Sequence, residues 1–441
     1  MPTTTSPRAA ALQILLEHRR RGTYLNIALD AYFGKHSYSL QEKAFLTALV
    51  MGVTERRITL EYQLTDLLNR PLKKLLDEIQ IVLLLGLYQI YYMDGVPERA
   101  AISESVDLVR TGGRRGAGSA PWAAGLVNAV LRRAAGRQLQ YPDRETDEVG
   151  YLSVKYAVQP ELASLWRGSY PGKYEEILSA LALPADTVLR VNTQKTSPAA
   201  LAEKLAAYGA QRMEGIPAAV LLPWESFRGD VTVLPGFREG LFHVQDGAAQ
   251  LCCEALGAKP GETVFDLCAA PGGKSFTLAQ TVGAAGKVLA FDLYPQRVQL
   301  IREGASRLGL ENVEAYTEDA AKWQELAGKH GKALRILCDV PCSGLGILRK
   351  KADIREKFPK DLDELPKTQY NIVESACACL ADTPGASLLY CTCTLNPKEN
   401  EEVADRLLAM HPEFREDLRR TIFPGRGLDG FFMARFVRAG H

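Results

Sequence analysis

The sequence has no apolar run of membrane-spanning length. Its most apolar stretch, IQIVLLLGLYQIYY at 79–92, is broken by Gln and Gly, whereas a spanning helix needs about 20 consecutive apolar residues. That stretch reads as a buried core helix. The opening residues, MPTTTSPRAAALQILLEHRRRG, lack the apolar block that follows the basic start of a secretory signal. Histidine is scarce and scattered, six in 441 residues. The nine cysteines include no Cys-x-x-Cys pair, and all fall between Cys252 and Cys393. Zinc-ribbon and disulfide-scaffold readings are set aside on that spacing, and free thiols in a reducing compartment fit. The expectation is a soluble cytoplasmic protein, monomeric, without membrane or metal.

The formal net charge of +1 conceals an asymmetry. Residues 1–140 carry 18 Lys and Arg against 12 Asp and Glu, and the remainder carries 35 against 40. The basic part contains HRRRG, ERR, TGGRRGAG and LRRAAGR. Such a module suits an anionic partner, most simply nucleic acid. A solvated helical surface is the plain alternative.

Three kinds of pattern follow along the chain. Residues 1–140 read as all helix. Leu25, Ala28, Leu29 and Tyr32 share one face, as do Ala123, Leu126, Val127, Val130 and Leu131, at the spacing of amphipathic helices. The Gly-rich TGGRRGAGSAP (111–121) is a loop and the polar QLQYPDRETDEVG (138–150) a linker. Residues 151–240 mix helical ELASLWRGSY, YEEILSALAL and SPAALAEKLAAYG with strand-like TVLRVNT, AAVLLPW and LFHVQD, a small α/β module. From 241 to 441, ETVFDLC, GKVLAFD, NVEAYTED, LRILCDV and SLLYCTC alternate with helical stretches, and GFFMARFVR closes the chain. Alternation of this kind means a mostly parallel Rossmann-like sheet, with ligands at the carboxyl ends of its strands.

Each strand ends in chemistry. The first gives Asp266 and then the tight turn Pro271, Gly272 and Gly273, with Lys274 opening a helix whose N-terminus favours a negative group. The second ends at Asp292, suited to a ribose diol. Asp319 follows the third, where a carboxylate can accept from an adenine amine. The fourth gives Asp339 and Cys342, and the fifth CTCT. Any one acid taken singly reads more readily as a solvated strand cap. Four at successive strand ends beside a Gly-rich turn indicate a nucleoside-containing cofactor. No second phosphate-binding loop is present, so a donor of the S-adenosyl-L-methionine type fits.

DLCAAPGGK, DVPCSGLG, CTCTLNPKENEE and LDGFFMARFVR resemble, in order, the motifs of the NOL1/NOP2/Sun family of RNA 5-methylcytosine methyltransferases. RAAALQILLEH, LNIALD, EKAFLTALVMGV, LLGLYQIYYMDGVPERAAISESVDLV and GLVNAVLRR resemble a NusB-type RNA-binding helical domain. The likeness covers nearly the whole chain, LRVNT in the middle module included. It implies an S-adenosylmethionine-dependent enzyme that methylates one cytosine of small-subunit (16S) ribosomal RNA, naked or in an assembling particle. By motif position, Cys268, Ala269, Ala270, Pro271, Gly272, Gly273 and Lys274 line the methionine part of the donor. Asp292 holds the ribose with Arg297 in support, Asp319 faces the adenine, and Asp339 sits near the donor's amino group and the target base. Val340, Thr394 and the 349–358 segment depart from the family's usual residues.

Carbon 5 of cytosine is a poor nucleophile. A thiolate added at carbon 6 makes the ring an enamine, which splits one hard step into easier ones. That thiolate needs an electropositive setting, for which the donor's cation and Lys274 are available, and Asp339, as a neutral acid or through water, could protonate the base at nitrogen 3. The family resemblance implies Cys393 as nucleophile and Cys342 as the residue that assists release. Cys252, Cys253, Cys338, Cys377, Cys379 and Cys391 read as packing. Three alternatives remain at this stage: a transfer-RNA or large-subunit enzyme of the same chemistry, an RNA-binding assembly factor with a vestigial catalytic domain, and a nicotinamide dehydrogenase.

Overall fold

The structure is a computed structural model that describes residues 5–111, 120–357 and 362–439. Most of the Gly-rich 111–121 stretch lies outside the described residues. The chain forms two compact units, one of residues 1–165 with 351–358, the other of 166–350 with 359–441.

The first unit is helical. Ser6 caps the helix Pro7–Arg21 by accepting from the Ala9 amide, and Gly22 ends it in the left-handed conformation. Ser39 and Glu42 form a reciprocal capping box at the start of Leu40–Glu55. The apolar 79–92 stretch lies within the helix Asp77–Tyr92, whose residues Ile79 to Leu87 are all buried. Leu25, Leu29, Val127, Val130 and Leu131 join the same core, with Ala28, Tyr32 and Leu126 packed against it. The helix Glu148–Tyr156 belongs to this unit, with Thr59 Oγ1 donating to the Val154 carbonyl. So does the short helix Ala352–Lys357, although its sequence neighbours lie in the catalytic region. The buried Arg355 guanidinium donates to the Tyr156 and Ala157 carbonyls at 3.0 and 3.2 Å, which satisfies the C-terminal end of Glu148–Tyr156.

The second unit holds two sheets. The smaller has strands β1 (Thr187–Val191), β2 (Gln211–Arg212), β3 (Ala219–Leu222) and β4 (Phe242–Val244), antiparallel throughout, in the order β2-β3-β1-β4. The larger has β5 (Thr263–Asp266), β6 (Lys287–Asp292), β7 (Val313–Thr317), β8 (Arg335–Asp339), β9 (Ser387–Thr392), β10 (Phe414–Ile422) and β11 (Phe431–Arg438). Their order is β10-β11-β9-β8-β5-β6-β7. Strands β5 to β9 run parallel and β10 and β11 antiparallel. Parallel strands buried on both faces read as continuous apolar runs, and every residue of β9 is buried. The chain winds outward from β5 to β6 and β7, then returns to lay β8 on the other side of β5 and β9 beyond it. The reversal opens a crevice at the carboxyl ends of β5 and β8.

Candidate active site

Asp266 and Asp339 end the two strands that flank the crevice. Lys274, the second residue of the helix Gly273–Val282, reaches across to Asp339, Nζ to Oδ2 at 2.6 Å. Burial opposes the ammonium charge, but Asp339 more than compensates and holds the Lys274 pKa well above its usual value. The two form an ion pair in which Asp339 acts as an acceptor. The sequence reading takes Asp339 as a neutral acid or as acting through water, and Lys274 as a source of positive field; the two side chains meet as an ion pair.

Asp266 is fully buried and accepts from Ser275 Oγ at 2.6 Å. Its Oδ1 has no hydrogen-bond partner among the described residues. Burial raises its pKa to about 7, against the Ser275 hydrogen bond. Behind the turn, the buried His243 of β4 meets the Gly273 carbonyl through Nε2 at 3.1 Å, and burial lowers its pKa to about 3. The two groups have opposite linkage. Asp266, raised, contributes stability that is present below about pH 4 and is lost as pH rises to about 7. His243, depressed, contributes stability that is present above about pH 6.5 and is lost as pH falls toward 3. Asn at 266 keeps an acceptor for Ser275 but cannot ionise. Urea unfolding should therefore show Asp266→Asn gaining stability relative to the parent by about 3 kcal/mol between pH 4 and pH 7. A pH-independent difference would reject this account.

The Gly-rich turn is tied to the end of β6. The Ala270 amide donates to Asp292 Oδ2 at 3.3 Å and the Tyr294 amide to Oδ1 at 3.2 Å. Arg297 reaches the same Asp292 oxygen at 3.4 Å and donates to the Ala270 carbonyl at 3.1 Å. Gly272 sits at φ +110°, where a Cβ would collide with the Phe276 ring, while nothing lies within 3.9 Å of a Cβ at Gly273. Cys268, Ala269, Ala270 and Pro271 complete the turn, with the Ala269 amide on the Phe291 carbonyl at 2.8 Å. Burial raises the Cys268 thiol pKa. Asp319 lies two residues past β7 and accepts from the Ala321 amide at 3.0 Å, a capping contact that leaves oxygen capacity free. The expected donor fits: an unsatisfied buried acceptor, a backbone cradle without side chains, and acids at the ends of β5, β6 and β8.

The two candidate cysteines meet. Parallel β8 and β9 pair Asp339 with Cys391, and the chain beyond each strand brings Cys342 Sγ within 3.4 Å of Cys393 Sγ. Both are half-buried, while Cys252, Cys253, Cys338, Cys377, Cys379 and Cys391 are buried. Contact with Cys393, then burial, then the charge of Glu399 push the Cys342 thiol well above its usual pKa. Glu399 is fully buried. It accepts from the Ser343 amide at 2.9 Å and Ser343 Oγ at 2.5 Å, and from Gln369 and Asn396, each at 2.9 Å. One carboxylate thus fixes the loop that carries Cys342 to the loop that follows Cys393. The Thr394 hydroxyl meets Ser343 Oγ at 2.7 Å, so the family's hydroxyl function is retained at that departure. A backbone ladder continues outward: the Gly346 amide donates to the Cys393 carbonyl at 3.1 Å, and the Gly430 amide to the Gly346 carbonyl at 3.0 Å.

Sequence reasoning did not single out Glu399, Ser275 or His243. Glu399 sits in the charged segment NPKENEE, which reads as solvated surface, and no local signal marks which of its acids is buried. Ser275 directly follows the lysine of APGGKS and was open to recognition as a partner for the strand-end acid.

Residues 253–437 match the family described as 16S rRNA methyltransferase RsmB/F, residues 5–136 the NusB family, and residues 162–224 the ferredoxin-like domain of the RsmF/B-like methyltransferases. The probable ribosomal RNA small subunit methyltransferase B of Bacillus subtilis (strain 168) is 34% identical, with 99% of each chain covered. The ribosomal RNA small subunit methyltransferase B of Pseudomonas putida is 33% identical, with 98% of each covered. The crystal structure of PH0851 superposes with a TM-score of 0.77 at 23% identity over 98% of each chain, a likeness of fold. A methyltransferase homolog protein from Pyrococcus horikoshii gives 0.57 at 26% identity, over 66% of this chain and 99% of that one. Among the described residues no helix is long and apolar enough to cross a membrane, and no group of three His, Cys, Asp or Glu could hold a metal ion. With a NusB domain, a ferredoxin-like module and a Rossmann-like catalytic domain in the order of its relatives, the chain belongs to the ribosomal RNA small subunit methyltransferase B family of S-adenosylmethionine-dependent enzymes.

Proposed function

We propose that the chain methylates carbon 5 of one cytosine in small-subunit ribosomal RNA through a covalent adduct with Cys393. The observation that carries this reading is the 3.4 Å contact between Cys342, three residues past β8, and Cys393, one residue past β9, beside the crevice. Methylation at a ring nitrogen or a ribose oxygen has no use for two adjoining thiols. S-adenosylmethionine, when bound, supplies an electrophilic methyl group. Cys268 to Lys274, Asp292 with Arg297, Asp319 and Asp339 are the residues that would hold it.

Cys393 attacks carbon 6, and the ring gains a nucleophilic carbon 5. After methylation the carbon 5 proton leaves to solvent or a base, the carbon–sulfur bond breaks, and its electron pair returns to the Cys393 sulfur. In this reading Cys342, whose sulfur adjoins that of Cys393, donates S–H to the departing thiolate. The family motifs assign Cys342 to release and Cys393 to attack. The division into a helical RNA-binding domain (1–140), a small module (151–240) and a catalytic domain (241–441) belongs to the same reading, as do a cytoplasmic location and a monomeric enzyme.

Unmodified small-subunit RNA carrying tritium at carbon 5 of cytosine tests the chemistry. Each methyl group transferred should release one tritium to water, and bisulfite mapping should place the product at one position. Methyl transfer without tritium release would defeat the carbon 5 assignment. No transfer at all would favour an RNA-binding factor with an idle catalytic domain.

A further inference from the structure

A second cavity of the same unit lies away from the crevice, with a volume of about 420 Å³, within the range of small-ligand sites. Its lining combines the edge strand β2, the turn after it, and the 420–428 stretch. Ile216 and Leu221 in the lining are buried, and Leu251 and Leu428 half-buried. Arg212, Arg420 and Arg426 are exposed beside them, and none of the three guanidiniums has an ion-pair or hydrogen-bond partner among the described residues. Glu214 is the acid in the lining. Three exposed, unpaired arginines give the apolar hollow a positive rim that attracts an anion. The geometry suits a ligand with a flat apolar part and an anionic backbone.

We propose that this cavity takes an unpaired nucleotide of the substrate RNA, its base against Ile216, Leu221 and Leu251 and its flanking phosphates on Arg212, Arg420 and Arg426. The proposal rests on the RNA-substrate reading above and deepens it. Bases placed on apolar or aromatic surfaces beside guanidinium groups are the ordinary means of holding single-stranded RNA. Edge strand β2 pairs only with β3 and leaves backbone donors and acceptors on its outer side for a base edge. Continuity with the catalytic centre supports RNA over a small effector. Leu428, in the lining, precedes Gly430 by two residues, and Gly430 is joined through Gly346 to Cys393 by the backbone ladder. Two strand spacings put Gly430 on the order of 10 Å from Cys393, so a strand that delivers its target base to Cys393 passes this hollow within a few nucleotides.

Two variants of the full chain test it, with unmodified small-subunit RNA as the probe. In the first, Arg212→Gln, Arg420→Gln and Arg426→Gln are combined. RNA should bind about tenfold or more weakly, and the slope of log affinity against log salt should flatten by about 2, as expected for three lost single-strand phosphate contacts. In the second, Met213→Trp fills the hollow with charge unchanged; affinity should fall while the salt slope stays at the parent's value. S-adenosylmethionine affinity, which should match the parent in both, reports that the unit is folded. Parental RNA affinity and slope in the arginine variant would overturn the pocket while leaving the carbon 5 chemistry standing. Because the readout is binding, weakened RNA binding in the variants supports the pocket even if tritium release had ruled out carbon 5 methylation.

Discussion

Cys393→Ala should lower methyl transfer by on the order of 10³-fold or more and abolish covalent trapping on RNA that contains 5-fluorocytosine. The opposite behaviour is expected of Cys342→Ala: methyl transfer begins, release fails, and a protein–RNA adduct accumulates that is visible on a denaturing gel without any fluorinated base. The two sulfurs touch at 3.4 Å and either can donate to the other, so the contact alone does not assign the roles. The family motifs do, with the Thr-Cys cysteine as nucleophile and the Pro-Cys cysteine in release. Contact with Cys393, burial and the Glu399 charge push the Cys342 thiol up, which suits a proton donor in that second role. The double variant separates cause from consequence, since removal of Cys393 should also remove the adduct seen with Cys342→Ala. An adduct that needs Cys342 and survives the loss of Cys393 would reverse the assignment.

Glu399→Ala is the second large effect. It strips acceptors from the Ser343 amide and hydroxyl, Gln369 Nε2 and Asn396 Nδ2 at once, and Gln369 and Asn396 are themselves buried. Each orphaned buried donor costs about 1–3 kcal/mol, and with relaxation a loss of about 4 kcal/mol is expected on urea unfolding. Turnover should fall about 100-fold, because the Cys342 loop is no longer fixed relative to Cys393 and a displacement of about 1 Å is enough to do so. S-adenosylmethionine affinity should stay at the parental value, since the Gly-rich turn is anchored on Asp292 instead. Alkylation of Cys342 by iodoacetamide near pH 8 should speed up, because one of the charges that hold the thiol protonated has gone. Glu399→Gln should fall between: one amide oxygen keeps two of the donors, and its NH₂ faces the other two. Parental unfolding midpoints and alkylation rates in both variants would show that the carboxylate plays no such part.

Period and punctuation in the sequence carried most of this architecture. Apolar runs ended by acids located β5, β6 and β8, and the run ended by CTCT located β9, because parallel strands buried on both faces must be apolar and the crevice-facing ends must be polar. Strand β10 was not legible: FREDLRRTI is charged at five of its nine positions, the composition of a protected sheet edge, and it pairs on one side only with β11. The ion pair between Lys274 and Asp339 was not legible either, since it joins a helix start to the end of a strand 65 residues later, which no local pattern encodes. The same holds for Glu399, whose burial depends on what the loops of β8 and β9 bring to it. The short helix Ala352–Lys357 shows the limit most plainly: chain order assigns it to the catalytic region, while the Arg355 contacts with the Tyr156 and Ala157 carbonyls give it to the helical unit.

Gly346 and Gly430 touch backbone to backbone; a Cβ at Gly346 would stand 2.1 Å from the Gly430 carbonyl oxygen, and one at Gly430 would stand 2.8 Å from the Gly346 Cα. For the redesign of RNA specificity this divides the loops into fixed and free alphabets. Neither glycine can be exchanged for any other residue without separating two loop segments of the ladder that ends on Cys393, and a compensating change at the partner is impossible because the partner has no side chain to give up. Diversity can be spent at the exposed Arg212, Arg420 and Arg426 of the cavity a few residues away, none of which takes part in the ladder.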